Sequence, residues 1–421
     1  MACQVGERDM VSDVKASLYE RIQKHINPDE LAALTLEFVK IPSPTRQELQ
    51  MSKHYARTLE QLGLEVELDY VEESRPNVIA KLPGDGTGPN LVFVGHLDTI
   101  PIGDCVPPRI DQGRIYGRGS CDMKGSLAAI VCAIRSIVRS GIKLGGDVFV
   151  VGHVGHESPE GDGEGVKAIA KRVREGKLKA GAAINMEGPM DSIKVAQGGS
   201  SMITILVTSK KGTQYSATSS FSSNPILWTA DVIEELDRID RKLSKRKRHP
   251  LISKRPTVQI GLIDGGESLF TVPNLVRLQG VIRWDPDQDF AEVSKEFRAT
   301  CQKLQRRMRE RHGSSVELSV EMRLDREACV VPGDERIVRI ARGALEKVTG
   351  KRSRLTGTRW VSDLGILYRD GGVPALEYGP FLPEELSLAH TDRESIGVSN
   401  LETISKVYAV TMLDFCGGAS A

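Results

Sequence analysis

The amino-acid sequence predicts an α/β protein whose main domain is interrupted by a second, α+β domain. Short segments rich in Val, Leu and Ile alternate with helical patterns over the first half of the chain. This texture changes between about residues 197 and 322 and returns after Cys329. We therefore predict a discontinuous domain formed by residues 1–197 and 325–421, with residues 198–324 inserted into it.

The first domain opens with a helix over residues 29–40, which the turn-like IPSPT of residues 41–45 ends, and a second helix over residues 47–62. Residues 66–70, 77–82 and 90–95 read as strands, and residues 126–140 as a buried helix that precedes a strand over residues 146–152. Strands that alternate with helices in this way predict a largely parallel sheet. Functional side chains are then expected in the loops at the strand ends.

The inserted domain and the C-terminal part show different patterns. We predict inserted strands at residues 201–209, 257–263 and 276–284, and helices at residues 227–239 and 289–311. The basic stretch at residues 238–254 favours a solvated helix end and loop over a nucleic-acid site. A helix over residues 335–348, a strand over 373–378 and a helix over 401–415 complete the first domain.

The composition narrows the class of partner. Lys plus Arg number 57 and Asp plus Glu 56, so the net charge is close to zero and does not favour nucleic acid or an anionic membrane as a partner. Seven cysteines, an odd number without CxxC spacing, argue against a disulfide framework. A charged N-terminal stretch and the lack of a long apolar run predict a cytoplasmic protein that acts on a small molecule.

Two motifs that carry a histidine and acids follow predicted strands. Residues 92–100 read VFVGHLDTI, an apolar strand that runs into His96, with Asp98 two residues further. Residues 115–125 read IYGRGSCDMKG, in which glycines let the backbone turn sharply around Asp122. A carboxylate has two oxygens and can bridge two cations, although each motif alone is also typical of a structural histidine or a helix cap.

Three later segments add further metal-ligand residue types. Residues 152–165 (GHVGHESPEGDGEG) place Glu157 after a strand, NMEGP at residues 185–189 places Glu187 after the next, and ELSLAHTDRE at residues 385–394 contains His390. Together with His96 and Asp122, this set suits one or two divalent ions such as zinc, manganese or cobalt. The sequence thus predicts a metal-dependent hydrolase.

Taken together, these motifs resemble those of the zinc-type hydrolase family that includes aminoacylase, acetylornithine deacetylase, succinyl-diaminopimelate desuccinylase and glutamate carboxypeptidase. The resemblance covers nearly the whole chain, from IPSPT through VGHLDT, GRGSCDMKG and NMEGP to LAHTDRE. It implies a phosphorylase/hydrolase-like α/β catalytic domain and an inserted α+β lid of the dimerisation type. It also implies a homo-oligomer formed through the lid.

The resemblance gives each metal-ligand candidate a role. His96 resembles the histidine ligand of a first ion, Glu187 resembles its acid, and Asp122 resembles the carboxylate that bridges two ions. Glu157 and His390 resemble the ligands of the second ion. Asp98 resembles the acid that supports His96, which would make it part of the catalytic machinery.

Two positions depart from the family pattern. Where the family has paired glutamates, the first of them the general base, this chain reads His156-Glu157. The His156 imidazole titrates near neutral pH and can carry a proton from water to a leaving nitrogen. In the lid, where the family has a histidine that stabilises an oxyanion, residues 211–218 read KGTQYSAT and place Ser216 there.

Several residues are candidates for substrate contacts. Asn224, Arg283 and the Arg359 of GTRWVSDLG (residues 357–365) resemble the lid and rim positions that hold a substrate carboxylate. Tyr378 offers an aromatic or hydroxyl wall, although such residues more commonly pack a core.

Three functions remain open on the sequence. The favoured one is hydrolytic removal of an amino group from an activated aromatic ring. That reaction forms no oxyanion on a carbonyl oxygen, so it does not need the lid histidine that this chain lacks. In having the metal ligands without the family's usual base, the chain resembles the family's 5-nitroanthranilate aminohydrolase branch. The second is an aminoacylase- or carboxypeptidase-type amide hydrolase with His156 as proton shuttle. The third is a catalytically silent relative that only binds metal or ligand.

Overall fold

The computed structural model describes residues 16–157, 162–360 and 362–419. The chain forms two compact units, the first from Met1–Val195, Val331–Thr356 and Ile366–Ala421 and the second from Ala196–Val330 and Gly357–Gly365. The domain limits inferred from the sequence stay a prediction. Among the described residues no helix is both long and apolar enough to cross a bilayer.

The first unit is built on a mixed sheet. Its strands follow one another across the sheet in the order Glu65–Glu72, Arg75–Leu82, Val148–His153, Leu91–His96, Ala182–Asn185, Ala375–Glu377 and Ser192–Gln197. The prediction of a largely parallel sheet holds for the four strands from Val148–His153 to Ala375–Glu377. It is wrong for the strands on both sides, which are antiparallel. On one side, residues 73–74 join the first two strands as a tight hairpin, which makes them antiparallel to each other.

Helices cover this sheet and bury its central strands. Leu91–His96 and Ala182–Asn185 are buried along their whole length, as expected where helices cover both faces of a sheet. The helices Gly125–Ser140 and Val398–Cys416 bury most of their residues and pack on each other. The other helices of the unit are 16–23, Pro28–Val39, Leu49–Glu60, Glu164–Arg174, Arg336–Thr349 and Pro383–Leu388.

Short elements complete the unit. The turn Ser120–Lys124 leads directly into the helix Gly125–Ser140. The remaining strands that lie in or reach into this unit are Arg109–Asp111, Arg114–Tyr116, Lys143–Leu144, Arg354–Thr358, Ser395–Gly397 and Gly418–Ala419.

The second unit is an α+β layer. Four antiparallel strands lie in the order Thr257–Gly265, Leu275–Trp284, Gly199–Ser209 and Val316–Arg326. The helices Pro225–Ser244 and Phe290–His312 pack against them around a core that includes Trp228 and Trp284. The unit also holds the short elements Gln214–Tyr215, Phe221–Ser223, Thr271–Val272 and Cys329–Val330.

The sequence reading missed the strand Val316–Arg326. Its sequence, VELSVEMRLDR, alternates apolar and polar residues, but the polar positions are mostly charged, which weakens the strand signal. The structure pairs this strand along its length with Gly199–Ser209. The predicted start of the helix at Asp289 has a clear cause, since the Asp289 carboxylate accepts the backbone N–H of Glu292 at 2.9 Å.

Candidate metal centre

The metal-ligand candidates meet at one edge of the first unit's sheet. His96 is the last residue of its strand, and Glu187 follows the neighbouring strand Ala182–Asn185 by two residues. His156 and Glu157 come shortly after Val148–His153. Because the carboxyl ends of parallel strands meet at the same edge of a sheet, residues distant in sequence are brought together there.

The Asp122 carboxylate lies between two imidazoles. Its Oδ1 atom is 3.1 Å from the Nε2 atom of His96, and its Oδ2 atom is 3.3 Å from the Nε2 atom of His390. His390 Nε2 is also 3.0 Å from the Glu157 Oε2 atom. One ligand atom each of His96, Asp122 and Glu157 lies within 4.8 Å of the others. A carboxylate with a different partner at each oxygen is suited to bridging two cations.

A second group of possible ligands shares His96. One ligand atom each of His96, His156 and Glu187 lies within 4.8 Å of the others. The His156 Nε2 atom is 3.7 Å from the Glu187 Oε2 atom, which has no hydrogen-bond partner among the described residues. The sequence had considered His156 only as a proton carrier, and the structure shows that it is also close enough to be a ligand.

The electrostatics of this edge fit a divalent cation. Burial, together with the nearby Asp122 and Glu377 carboxylates, raises the pKa of Glu187 to about 8. Burial and the Asp122 charge also raise the pKa of Glu157. Hydrogen bonds to Asp122 and Glu157 raise the pKa of His390 to about 10. Buried carboxylates that disfavour one another's charge, with an unbonded carboxylate oxygen among them, are a donor set that one or two metal ions would satisfy.

Asp98 contacts both the His96 ring and the loop that carries His156 and Glu157. The His96 Nδ1 atom is 2.9 Å from the backbone carbonyl oxygen of Asp98, whereas the nearest Asp98 carboxylate oxygen is 3.8 Å away. The Asp98 carboxylate instead accepts the backbone N–H groups of His156, at 3.0 Å, and Glu157, at 2.9 Å. Asp98 thus contacts the His96 ring through its carbonyl and positions the following loop through its carboxylate, and its role in supporting His96 stays a prediction.

Glu394 holds the Asp122 turn and was missed in the sequence. Its Oε1 atom accepts the backbone N–H groups of Cys121 and Asp122, each at 3.1 Å. Its Oε2 atom pairs with the Arg118 guanidinium at 2.6 Å. Glu394 lies four residues after His390 in the same motif. An acid close in sequence to a ligand candidate was the only feature of the sequence that could have indicated its role.

The candidate substrate-binding residues differ in their exposure and in the hydrogen bonds that they already form. Four of them, Ser216, Asn224, Arg283 and Arg359, belong to the second unit. Ser216 is exposed and its backbone N–H donates to the Phe270 carbonyl at 3.0 Å. Arg283 is half-buried, and burial lowers its pKa.

The side chains of Asn224 and Arg359 form hydrogen bonds within the second unit. Asn224 Oδ1 accepts the Ile226 N–H at 2.9 Å and so caps the helix Pro225–Ser244. The buried Arg359 guanidinium donates to the Trp284 carbonyl at 3.1 Å and pairs with Asp285. Since these groups are engaged inside their own unit, Arg283 is the better candidate to bind a carboxylate.

Tyr378 is a core residue of the first unit. Its side chain is 1 % exposed and meets the Tyr408 ring edge to face, with centroids 6.1 Å apart. Burial raises the pKa of the Tyr378 hydroxyl above its ordinary value. Of the two roles considered for Tyr378, the packing role is the one in agreement with this burial.

Comparison with known proteins agrees with this architecture. The sequence profile of peptidase family M20/M25/M40 matches residues 92–414. N-formyl-4-amino-5-aminomethyl-2-methylpyrimidine deformylase from Halalkalibacterium halodurans is 26% identical, over 96% of this chain and 98% of that protein. Succinyl-diaminopimelate desuccinylase from Wolbachia pipientis subsp. Culex pipiens is 24% identical, over 91% and 92%.

Solved structures show the same fold. A tripeptidase from Staphylococcus aureus superposes with a TM-score of 0.75 at 20% identity, covering 92% of this chain and 98% of that one. An α/β unit with an inserted α+β unit and a cluster of histidines and carboxylates defines a metal-dependent hydrolase that uses one or two divalent ions. The chain belongs to peptidase family M20/M25/M40, which confirms the family that the sequence motifs suggested.

Proposed function

We propose that this protein hydrolyses a carbon–nitrogen bond of a small carboxylate-bearing substrate, and that the reaction is deamination of an activated aromatic amine. The substrate we infer is 5-nitroanthranilate, which would give 5-nitrosalicylate and ammonia. The observation that carries this proposal is the His156 imidazole, which lies against His96 and Glu187 where the resembled family has its glutamate base.

We assign the ligands as the resemblance to the family implies, and the close approaches among these residues support the assignment. His96, Asp122 and Glu187 would hold one ion, and Asp122, Glu157 and His390 would hold a second. Manganese, zinc and cobalt all accept such a mixture of imidazole and carboxylate donors. When bound, such an ion activates water for attack by lowering its pKa.

His156 is assigned the proton transfers. A neutral imidazole at this position can accept a proton from the attacking water and donate it to the departing amino nitrogen. Water attack at the ring carbon that bears the amino group forms a C–O bond, and the negative charge then spreads over the ring and its nitro group. Loss of ammonia restores the aromatic ring. This charge develops away from any former carbonyl oxygen, so Ser216 at the family's histidine position is no obstacle.

Two further observations support an aromatic substrate with a carboxylate. The relative from Halalkalibacterium halodurans is named for a substrate that contains an aminopyrimidine ring, which is also an aminated aromatic ring. Arg283 is half-buried, and none of the contacts described for it is an ion pair, so its guanidinium is available to a carboxylate.

Amide hydrolysis is the second candidate function. It is favoured by the relatives named as a deformylase and a desuccinylase, both of which cleave an acyl group from nitrogen. In that reaction His156 would be the proton shuttle, and an oxyanion would form on the former carbonyl oxygen.

Product identity separates these functions. Metal-loaded protein is incubated with 5-nitroanthranilate, and ammonia and 5-nitrosalicylate are quantified together. A parallel panel contains N-acetyl amino acids, N-succinyl-diaminopimelate, dipeptides and an N-formyl aminopyrimidine. Equimolar ammonia and nitrosalicylate support the proposal. Cleavage of the panel without deamination establishes the amide hydrolase, and metal binding without any turnover establishes a silent relative.

We also propose that the protein is a cytoplasmic homo-oligomer joined through its second unit. The strand Thr257–Gly265 lies at the edge of the sheet and exposes Leu262 and Ile263, and the following loop exposes Leu269 (94 %) and Phe270 (71 %). An exposed apolar edge strand is suited to pairing with the same strand of a second copy. The six cysteines in the described ranges are free, which fits a reducing compartment.

Light scattering tests this assembly. A variant with Leu262→Lys and Ile263→Lys should be monomeric at concentrations at which the natural protein is not. A monomeric natural protein would refute the assembly.

A further inference from the structure

The IPSPT turn is tied to the backbone that follows His96. The Thr45 N–H donates to the Thr99 carbonyl at 3.1 Å, and the Thr99 N–H donates to the Ser43 carbonyl at 2.9 Å. The Ser43 hydroxyl donates to the Leu97 carbonyl at 2.8 Å. The turn therefore has a fixed register against residues 97–99, although it is far from them in sequence.

This register brings the Thr45 hydroxyl to the Asp98 carboxylate. Thr45 Oγ1 donates to Asp98 Oδ2 at 2.8 Å. The same Oδ2 atom accepts the backbone N–H groups of His156 and Glu157, and Oδ1 lies 3.1 Å from the His156 nitrogen. Asp98 is fully buried, so its carboxylate depends on such donors to replace water.

The two backbone N–H groups belong to the residues that carry the candidate chemistry. On the N-terminal side, the loop is held by the Val154 N–H, which donates to Asn77 Oδ1 at 3.2 Å. Gly155 has a φ of 78°, a left-handed conformation, so the chain changes direction just before His156. Asp98 fixes the next two peptide groups, and hence the directions in which the His156 and Glu157 side chains leave the backbone.

We propose that Thr45 is a positioning residue, whose hydroxyl orients the Asp98 carboxylate so that it holds His156 and Glu157 in the geometry needed for proton transfer and metal binding. The proposal rests on the roles assigned to these two residues under the proposed function. It also assigns a function to the IPSPT turn, which is distant in sequence from the ligand candidates. A displacement of about 1 Å in a reacting group can cost on the order of 10²-fold in rate, so one hydroxyl suffices to matter.

Three variants separate positioning from general stability. Thr45→Val removes the hydroxyl and keeps the shape, whereas Thr45→Ser keeps the hydroxyl. Thr35→Val is the control, because the Thr35 hydroxyl likewise donates to a group of the protein, the Leu31 carbonyl at 2.8 Å within a helix; Thr35 is buried, whereas Thr45 is half-buried. Each variant is stripped of metal with a chelator and reloaded with cobalt(II), whose visible absorption reports ligand geometry.

Five quantities are measured: the cobalt absorption spectrum, the cobalt dissociation constant, kcat and KM on the substrate that the natural protein turns over, and hydrogen exchange of residues 152–157. We expect Thr45→Val to lower kcat by about tenfold or more at nearly constant KM. A tenfold loss corresponds to a rise of about 1.4 kcal/mol in the activation barrier. It should also change the cobalt spectrum and speed exchange of the His156 and Glu157 amides. Thr45→Ser should restore all of these, and Thr35→Val should change none.

Two results would overturn the proposal. One is a Thr45→Val protein whose cobalt spectrum and amide exchange match those of the natural protein. The other is equal loss in Thr45→Val and Thr45→Ser, which would show that the methyl group or the fold is responsible. If the natural protein deaminates none of the substrates, the proposed function fails, but the spectrum and the exchange rates still decide the role of Thr45.

Discussion

The imidazole rings of His96 and His156 are stacked, with centroids 4.5 Å apart and planes inclined by only 7°. His96 ends a buried strand and also contacts Asp122, so the stack links the proton carrier we propose to the carboxylate we propose as the bridge. Both rings lie near Glu187. His156 thus lies against two ligand candidates, His96 and Glu187, and substitutions can separate its stacking from its proton chemistry.

We predict that His156→Ala lowers kcat by about 10² to 10⁴, the usual contribution of a general acid or base. His156→Phe is the informative partner, because its ring can still stack on His96 but accepts no proton. Turnover is measured by ammonia release under metal saturation. Equal loss in both variants supports proton transfer, whereas recovery of activity in His156→Phe would show that the ring only packs.

His156→Glu tests the departure from the family pattern directly. A carboxylate at this position recreates the paired glutamates of the resembled family, so we expect the rate or the substrate preference to change. N-acetyl amino acids should be poor substrates of the natural protein, and their hydrolysis is measured for both forms. Rapid cleavage of these compounds by the natural protein would contradict the role we give to His156.

Removal of a ligand should abolish turnover. We expect no measurable activity in His96→Ala or Asp122→Ala, and none in the natural protein after exhaustive chelation, with recovery when manganese, zinc or cobalt is returned. Elemental analysis should show less bound metal in both variants. His54→Ala is a control, since His54 pairs with Glu37 rather than with any ligand candidate. Full activity in chelated protein that contains no metal would refute metal dependence.

The pKa shifts predict how pH affects the metal-free protein. The pKa of Glu187 is raised to about 8 and that of His390 to about 10, so both groups hold a proton in the folded state at a pH where the unfolded chain has released it. Folding therefore takes up protons at these two groups, and their contribution to the stability of the metal-free protein should fall as the pH rises from about 5 toward 10. Bound metal displaces these protons, so the metal affinity should rise over the same range.

Thermal unfolding with and without metal measures this linkage. The difference in Tm between metal-loaded and chelated protein should widen from pH 6 to pH 8.5. Glu187→Gln removes one titrating group, so its chelated form should lose less stability over the range. A Tm difference that stays constant or narrows with rising pH would contradict the assigned protonation states.

The sequence was informative wherever function coincides with a strand end. His96 and Glu187 could be selected because each follows an apolar segment, and the structure brings both to the same edge of the sheet. Long buried helices were located almost to the residue, as for Gly125–Ser140, because a continuous apolar pattern fixes their limits.

Contacts that depend on backbone position could not be predicted. The Asp98 carboxylate binds peptide N–H groups 58 and 59 residues away, and those groups carry no sequence signature. The Arg359 guanidinium binds the Trp284 carbonyl, a partner whose location follows only from the folded second unit. Residue type indicates what a group can bind, and the fold decides what it meets.

A buried ion-pair network offers a last test, of stability rather than chemistry. The Arg75 guanidinium, 2 % exposed, contacts the fully buried Glu48 carboxylate at 2.8 Å and also pairs with Glu164. Glu164 begins the helix Glu164–Arg174, and its carboxylate lies so close to Gly155 that a Cβ there would be 2.6 Å from Oε1. Replacing Arg75 would leave two acids without their partner, one of them in the interior.

We predict that Arg75→Met lowers the free energy of unfolding by about 3 to 5 kcal/mol, because it strands a buried charge. The control is Arg46→Met, which breaks an exposed pair with Glu72 and should cost no more than about 1 kcal/mol. Chemical denaturation of both variants, with metal removed, gives the comparison. The double variant Arg75→Met with Glu48→Gln should recover part of the loss, because it removes the stranded charge. Equal small losses in Arg75→Met and Arg46→Met would show that the buried network contributes no more than a surface pair.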